Sequence, residues 1–260
     1  WDAANRLREV VVRLLDPEET DPFKQTLQET RYSFSYDGAG RLVRSGTDHI
    51  STYDYSTTPF PTVNISTPNE RDDYFWDGLE RLGREQYSSS NGSVLETRRY
   101  LTQGFTRSLN GAAATKYYVA RDHLGSTREI LDDAFSVVAR YDYSAWGEVE
   151  KLSGTIDADH LYTGHLYFAD SDTPLHLAPY RAYQPELGRW LSRDFLGETG
   201  PDGSNIYSYS RNNPINESDP TGLASSLNTP TGQAVMAALF FEAASSAVDV
   251  AEAARVIASD

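Results

Sequence analysis

Apolar and polar positions alternate at period two in several stretches of the chain, most cleanly where Tyr32, Phe34 and Tyr36 are separated by Ser33 and Ser35. Successive side chains of a strand point to opposite faces, so this spacing predicts a strand with one face buried. Asp37-Gly38-Ala39-Gly40 comes next, an Asx-type acceptor with residues that tolerate positive φ, and Leu42 and Arg44 begin a return strand. The pattern recurs: Trp1-Asp2-Ala3-Ala4-Asn5-Arg6-Leu7, Tyr36-Asp37-Gly38-Ala39-Gly40-Arg41-Leu42 and Trp76-Asp77-Gly78-Leu79-Glu80-Arg81-Leu82 share an aromatic, an Asp, a turn and Arg-Leu. The Arg can reach the Asp or stack on a neighbouring ring, which would tie one hairpin to the next. The copies start at 1, 36 and 76, too unevenly for a strict solenoid, and the Pro-bearing stretch 57–68 is read as a loop that absorbs the difference.

Strand signals continue from Lys116. Residues 117–120 run into the turn Asp122-His123-Leu124-Gly125-Ser126, and 129–131 and 137–143 flank Asp132-Asp133. Residues 161–223 are dense in Tyr, Gly, Asn and Pro, which predicts short strands and tight turns. After Leu223 the composition changes. Thr229-Pro230 makes a good helix start, and 233–259, rich in Ala, predicts a helix of about 40 Å. Glu242, Asp249 and Glu252 interrupt it too often for a bilayer span, so it is expected to dock or to seek a partner.

Composition agrees with a β-rich, partly solvated architecture: 17 Tyr and 10 Phe stand against a single Met. A length of 260 residues allows one or two domains. The net charge of −15 repels phosphate backbones and argues against nucleic-acid binding. The absence of Cys excludes disulfides, thiolate metal sites and a Cys nucleophile. There is no Gly-rich phosphate loop, no apolar run long enough for a membrane span, and no cofactor is expected. His160 and His165 lie close in sequence, but a lone pair in a loop is a poor metal signal. Trp1 already lies inside the first copy, so the chain is read as a piece of a longer protein, with more repeats and any secretion signal upstream.

Two stretches carry more than pattern. Residues 117–149 hold Arg121-Asp122-His123-Leu124-Gly125-Ser126-Thr127 and Tyr141-Asp142-Tyr143-Ser144-Ala145-Trp146-Gly147-Glu148. Residues 162–223 hold Tyr162-Thr163-Gly164-His165, Tyr180-Arg181-Ala182-Tyr183-Gln184-Pro185-Glu186-Leu187-Gly188-Arg189-Trp190, Asn212-Asn213-Pro214 and Asp219-Pro220-Thr221-Gly222-Leu223. In this order the words resemble the Rhs-repeat-associated core domain, and the upstream copies resemble YD repeats. The resemblance implies an all-β fold, a hairpin ribbon forming part of a spiral shell, followed by the C-terminal Ala-rich helix. The expected domains are YD-repeat hairpins over 1–115, the core domain over 116–223, and a linker with helix over 224–260.

In Rhs proteins and the C components of Tc toxins, such a shell encloses the polypeptide that continues beyond the core domain. An intrinsic aspartyl protease cuts that cargo free just after Asp-Pro-x-Gly-Leu. Teneurins share the shell but serve in adhesion. Carried onto this chain, the resemblance implies Asp194 and Asp219 as the catalytic pair, Arg181 as their partner, and Leu223–Ala224 as the scissile bond. Two carboxylates sharing a proton supply base and acid in turn, and Gly222 would let the backbone approach them.

The chain departs from the pattern at three places: Phe195 comes after the first Asp, Gln184 precedes Pro185, and the turn 132–136 lacks its Gly. The first touches the site, and slow or absent cleavage is one outcome it allows. The expected partners are the protein's own C-terminal polypeptide and further repeats or identical subunits, at a secreted or cell-surface location. Residues 224–260 are short for an enzymatic cargo and are either a truncated effector start, a helical plug or a peptide of other purpose. The alternative is a non-enzymatic structural or adhesive surface protein, assembling or glycan-binding, with an inactive core domain.

Overall fold

A computed structural model describes residues 6–14, 28–38, 41–54, 62–65, 70–78, 80–169, 173–194, 204–223 and 226–227. The expected helix over 233–259 lies outside these residues.

Twelve strands form one antiparallel sheet: β1 (Glu9–Leu14), β2 (Gln28–Tyr36), β3 (Leu42–Asp54), β4 (Thr62–Ile65), β5 (Glu70–Asp77), β6 (Glu80–Ser88), β7 (Val94–Leu101), β8 (Gly104–Leu109), β9 (Thr115–Arg121), β10 (Thr127–Leu131), β11 (Val137–Tyr143) and β12 (Val149–Gly154). Each strand pairs with its neighbour in sequence, except that β3 pairs with both β4 and β5. The all-β ribbon is therefore a meander, built from local hairpins. β4 falls inside the stretch read as a loop; its alternating Thr62, Val63, Asn64 and Ile65 suit an edge strand on β3.

Three of the hairpin turns share one hydrogen-bond plan. Asp122 N–H donates to Ser126 O, Gly125 N–H to Asp122 O, and Leu124 and Ser126 N–H to Asp122 Oδ1. Asp132 repeats this with Ala134, Phe135 and Ser136, and Ser144 with Gly147 and Glu148, its hydroxyl replacing the carboxylate. The fourth position has positive φ each time: Gly125 at 88°, Gly147 at 89°, and Phe135 at 60° where the expected Gly is missing. Phe135 stacks on Tyr118 with ring centroids 5.0 Å apart, which partly offsets the unfavourable backbone.

The repeated word explains how hairpins are hooked together. Tyr36 Oη donates to Leu7 O and Trp76 Nε1 to Leu42 O, both at 2.8 Å, so each aromatic binds the Leu carbonyl of the preceding copy. Arg41 holds Asp37 of its own copy (Nε to Oδ2, 2.7 Å) and donates forward to Gly78 O at 2.6 Å. Arg6 lies over Tyr36 and Arg81 over Trp76. Both predicted roles of the Arg thus occur together.

Against the ribbon sits a smaller sheet of β13 (Leu166–Phe168), β14 (Leu175–Leu177), β15 (Ala182–Gln184) and β16 (Arg189–Trp190), with β17 (Glu217–Ser218) and β18 (Ser226–Leu227) as a further pair. Tyr32, Phe34, Leu42 and Tyr74 of the ribbon pack on Leu166, Leu175, Leu177 and Ala182 of this sheet. A second core gathers Phe105, Ile130, Ala139 and Tyr141 around Leu161.

Between the two cores the contact is ionic. Buried Glu96 takes hydrogen bonds from Arg84, Arg98 and Arg107 at 2.6, 2.5 and 2.7 Å. Arg98 also holds the Asp159 carboxylate (3.0 Å) and Asp157 O (2.6 Å), so strands β6 to β8 grip the segment that leads into the small sheet. Burial pushes the Glu96 carboxyl up, but Arg98, Arg107 and Arg84 outweigh it and hold the group below the ordinary 4.5.

Removing one partner of such a cluster leaves buried charge uncompensated. Glu96→Ala is expected to cost about 3 kcal/mol, read by urea denaturation at pH 7. Because the folded-state pKa is depressed, this stabilisation is present above the unfolded value and lost as pH falls through the folded one. Wild-type stability should therefore decline below about pH 4.5 more steeply than that of the variant, and equal slopes would refute the assignment.

Candidate functional site

Three segments of the small sheet and its connections converge on one guanidinium. Arg181 closes the turn between β14 and β15, where Ala178 N–H donates to Arg181 O at 3.0 Å. Asp194 lies just beyond β16 and is anchored by its N–H to Ile206 O at 2.9 Å. Asp219 lies directly after β17. Arg181 Nη2 is 3.0 Å from Asp194 Oδ2 and 3.0 Å from Asp219 Oδ2. The side chains of Arg181, Asp194 and Asp219 are 2%, 6% and 0% exposed, so the three ionisable groups meet out of water. In such a medium neither carboxylate is tolerable without its cation. Arg181 also lies over the Trp190 ring at 4.5 Å and donates from Nη1 to Ile206 O at 3.3 Å.

The segment after Asp219 folds back over the same residues. Asp219 Oδ1 accepts from Gly222 N–H at 2.8 Å, Leu223 N–H at 3.1 Å and Thr221 Oγ1 at 3.3 Å. Arg181 Nε donates to Gly222 O, and Tyr180 N–H to Thr221 O at 3.1 Å. Gly222 has φ of 79°, and a Cβ there would lie 3.0 Å from Arg181 N and 3.1 Å from Ala178 Cβ. Both the backbone angle and the close packing call for Gly. Leu223 is buried. Arg181 therefore touches both carboxylates and the main chain that carries Leu223.

Asp194, Asp219, Arg181, Gly222 and Leu223, named from the sequence, are brought together; Ala224 and Phe195 lie outside the described residues. Among the described residues no three His, Cys, Asp or Glu are grouped to hold a metal ion. His160 and His165 serve separate networks: His160 Nε2 is 2.8 Å from Arg81 Nη1, whereas His165 Nε2 is 2.9 Å from Asp219 O. Burial pushes both imidazoles down, each to about 3. His123 Nε2 is 2.8 Å from Ile215 O. The sequence gives no direct sign that His165, Thr163 and Tyr209 surround Asp219, although Tyr162-Thr163-Gly164-His165 stands out as a word.

Residues 87–215 match the family model described as Teneurin YD-shell. The chain is similar to Double-stranded DNA deaminase toxin A of Burkholderia cenocepacia, 27% identical over 244 residues, covering 80% of this chain and 17% of that protein. It is similar to Toxin subunit YenC1 of Yersinia entomophaga, 50% identical over 103 residues, covering 39% of this chain and 10% of that one. It is also similar to Toxin protein Tse5 of Pseudomonas aeruginosa, 40% identical over 102 residues, 39% of this chain and 7% of that one. The chain thus spans a small fraction of the relatives it matches. Among solved structures, TcdB2-TccC3 without its hypervariable C-terminal region aligns with a TM-score of 0.41 at 17% identity, covering 86% of this chain and 15% of that one.

The electrostatics of the triad can be checked directly. Arg181→Met keeps an apolar stem but leaves the negative charge of the buried Asp194–Asp219 pair without its cation, at an expected cost of about 3–5 kcal/mol at pH 7. Full protonation of the pair removes that charge, so the gap in melting temperature between variant and wild type should narrow on acidification. A gap independent of pH would mean that Arg181 acts only by packing.

Proposed function

We propose that this chain, a YD-repeat shell protein related to the Rhs and Tc toxin components, closes a β-ribbon container and cuts its own backbone after Leu223. The observation that carries the reading is the single guanidinium that touches Asp194, Asp219 and the main chain of Gly222. In this reading Asp194 and Asp219 share one proton. The ionised member draws a proton from a water, whose oxygen attacks the Leu223 carbonyl carbon. The protonated member then gives its proton to the Ala224 nitrogen as the C–N bond breaks, leaving a carboxylic acid on Leu223 and a free amine on Ala224. Arg181 keeps the excess negative charge of the pair in place and, through Gly222 O, holds the substrate strand against it.

The container role is supported by the meandering ribbon, by the family match over 87–215 and by relatives whose names are those of toxins. Under it, 1–115 is ribbon, 116–223 the core domain that processes, and 224–260 the start of the released polypeptide. The natural partners are that polypeptide and neighbouring shell segments, in a secreted or surface-delivered particle. Among the described residues no helix is long and apolar enough to cross a membrane. A second reading, a purely architectural segment of adhesive or glycan-binding type, draws on the same triad: an Arg shared by two carboxylates is also a way to knit three loops together.

Intact mass separates the two. Purified wild-type chain should accumulate a fragment ending at Leu223, while Asp219→Asn and Asp194→Asn stay full length, with a loss of about 1,000-fold or more in rate. Full-length protein in all three samples after prolonged incubation would leave the architectural reading.

A further inference from the structure

Asp219 is held by its main chain as well as by its carboxylate. Its carbonyl oxygen lies 2.9 Å from His165 Nε2. A carbonyl only accepts, so Nε2 carries the proton, and Nδ1 of the neutral ring is an acceptor. Nδ1 faces Thr163 Oγ1 at 3.3 Å, and that hydroxyl is 3.2 Å from Tyr209 Oη. Thr163 O–H therefore donates to His165 Nδ1 and His165 Nε2–H to the Asp219 carbonyl, so a chain from Tyr209 through Thr163 and His165 ends on the Asp219 main chain, and all four residues are buried.

The backbone beside the clamp is strained. Thr163 itself has φ of 48°, and Ser210, Arg211 and Asn212, directly after Tyr209, have φ of 46°, 49° and 61°. Non-Gly residues enter this region singly and at a cost, so a run of three persists only where the surroundings over-determine it. Thr163 and Tyr209, which back the His165 ring through hydrogen bonds, sit at these unfavourable turns.

We infer that Thr163, His165 and Tyr209 form a clamp on the main chain of Asp219, with His165 a positioning residue for self-cleavage. The cleavage half of this inference rests on the reading given above; the clamp does not. With its C=O held, Asp219 directs Oδ1 to the amides of Gly222 and Leu223 and Oδ2 to Arg181. A histidine that merely filled the core could be replaced by any side chain of its size. A clamp needs the donor.

The test uses the full chain in an Asp194→Asn background, which keeps the 219–223 segment joined to residues 224–260. His165→Leu removes the donor at similar volume, whereas the amide of His165→Gln can still reach the Asp219 carbonyl. By hydrogen exchange, the amides of Gly222 and Leu223 should exchange at least about ten times faster in the Leu variant than in the Gln variant or the parent. Thr163→Val, which removes the link to Tyr209 without changing shape, should move the same amides in the same direction and stands in if the Leu variant does not fold. With Asp194 restored, cleavage after Leu223 should fall about 100-fold with Leu and recover with Gln. Equal protection in all chains, or equal losses with Leu and Gln, would overturn the clamp. If exchange behaves as expected but the wild-type chain is never cut, the cleavage reading fails and the clamp stands.

Discussion

A buried carboxylate needs a cation or several donors, and two of them in contact need both. That constraint organises the small sheet. Asp194 and Asp219 come from segments separated by the whole stretch between β16 and β17, and each would be intolerable in its dry position without Arg181. The guanidinium fixes where these segments end, and through Gly222 O it fixes the strand beyond them. The positive φ of Gly222, the absent Cβ and the buried Leu223 are consequences of bringing a main chain so close to an occupied guanidinium.

The ribbon solves a different problem by similar means. A sheet of twelve strands has a long face to cover, and among the described residues two hydrophobic clusters lie on it, around Tyr32, Phe34 and Leu42 and around Phe105 and Ile130. Between them Glu96 gathers Arg84, Arg98 and Arg107, and Asp159 answers from the segment opposite. Such a cluster adds little net energy over an apolar core of the same volume. Through Asp159 it ties strands of the wall to the segment that leads into the small sheet.

If the site cleaves, its economy is notable in one respect: Asp219 would be both a member of the catalytic pair and part of the strand being cut. A catalytic group four residues from its target bond has little freedom to be aligned by the strand alone. The hydrogen-bond chain through Tyr209, Thr163 and His165 gives it an anchor outside the strand. The left-handed residues at Thr163 and directly after Tyr209 are the conformational cost of that chain.

Local features were legible from the residues alone. Alternation at period two set the strands around Tyr32 and Phe34, and Asp or Ser with a residue of positive φ at the fourth position set the turns, because both signals act within a few residues. The recurring aromatic, Asp and Arg-Leu marked the hooks between hairpins, where Tyr36 meets Leu7 and Trp76 meets Leu42. Asp194, Asp219 and Arg181 were named only through a resemblance, since nothing in their spacing brings them together. It took the folded chain to show that they meet, that Glu96 holds three arginines, and that His165 turns to the Asp219 carbonyl. These are contacts between residues far apart in the chain, set by how the small sheet lies on the ribbon, and no short-range pattern encodes that placement.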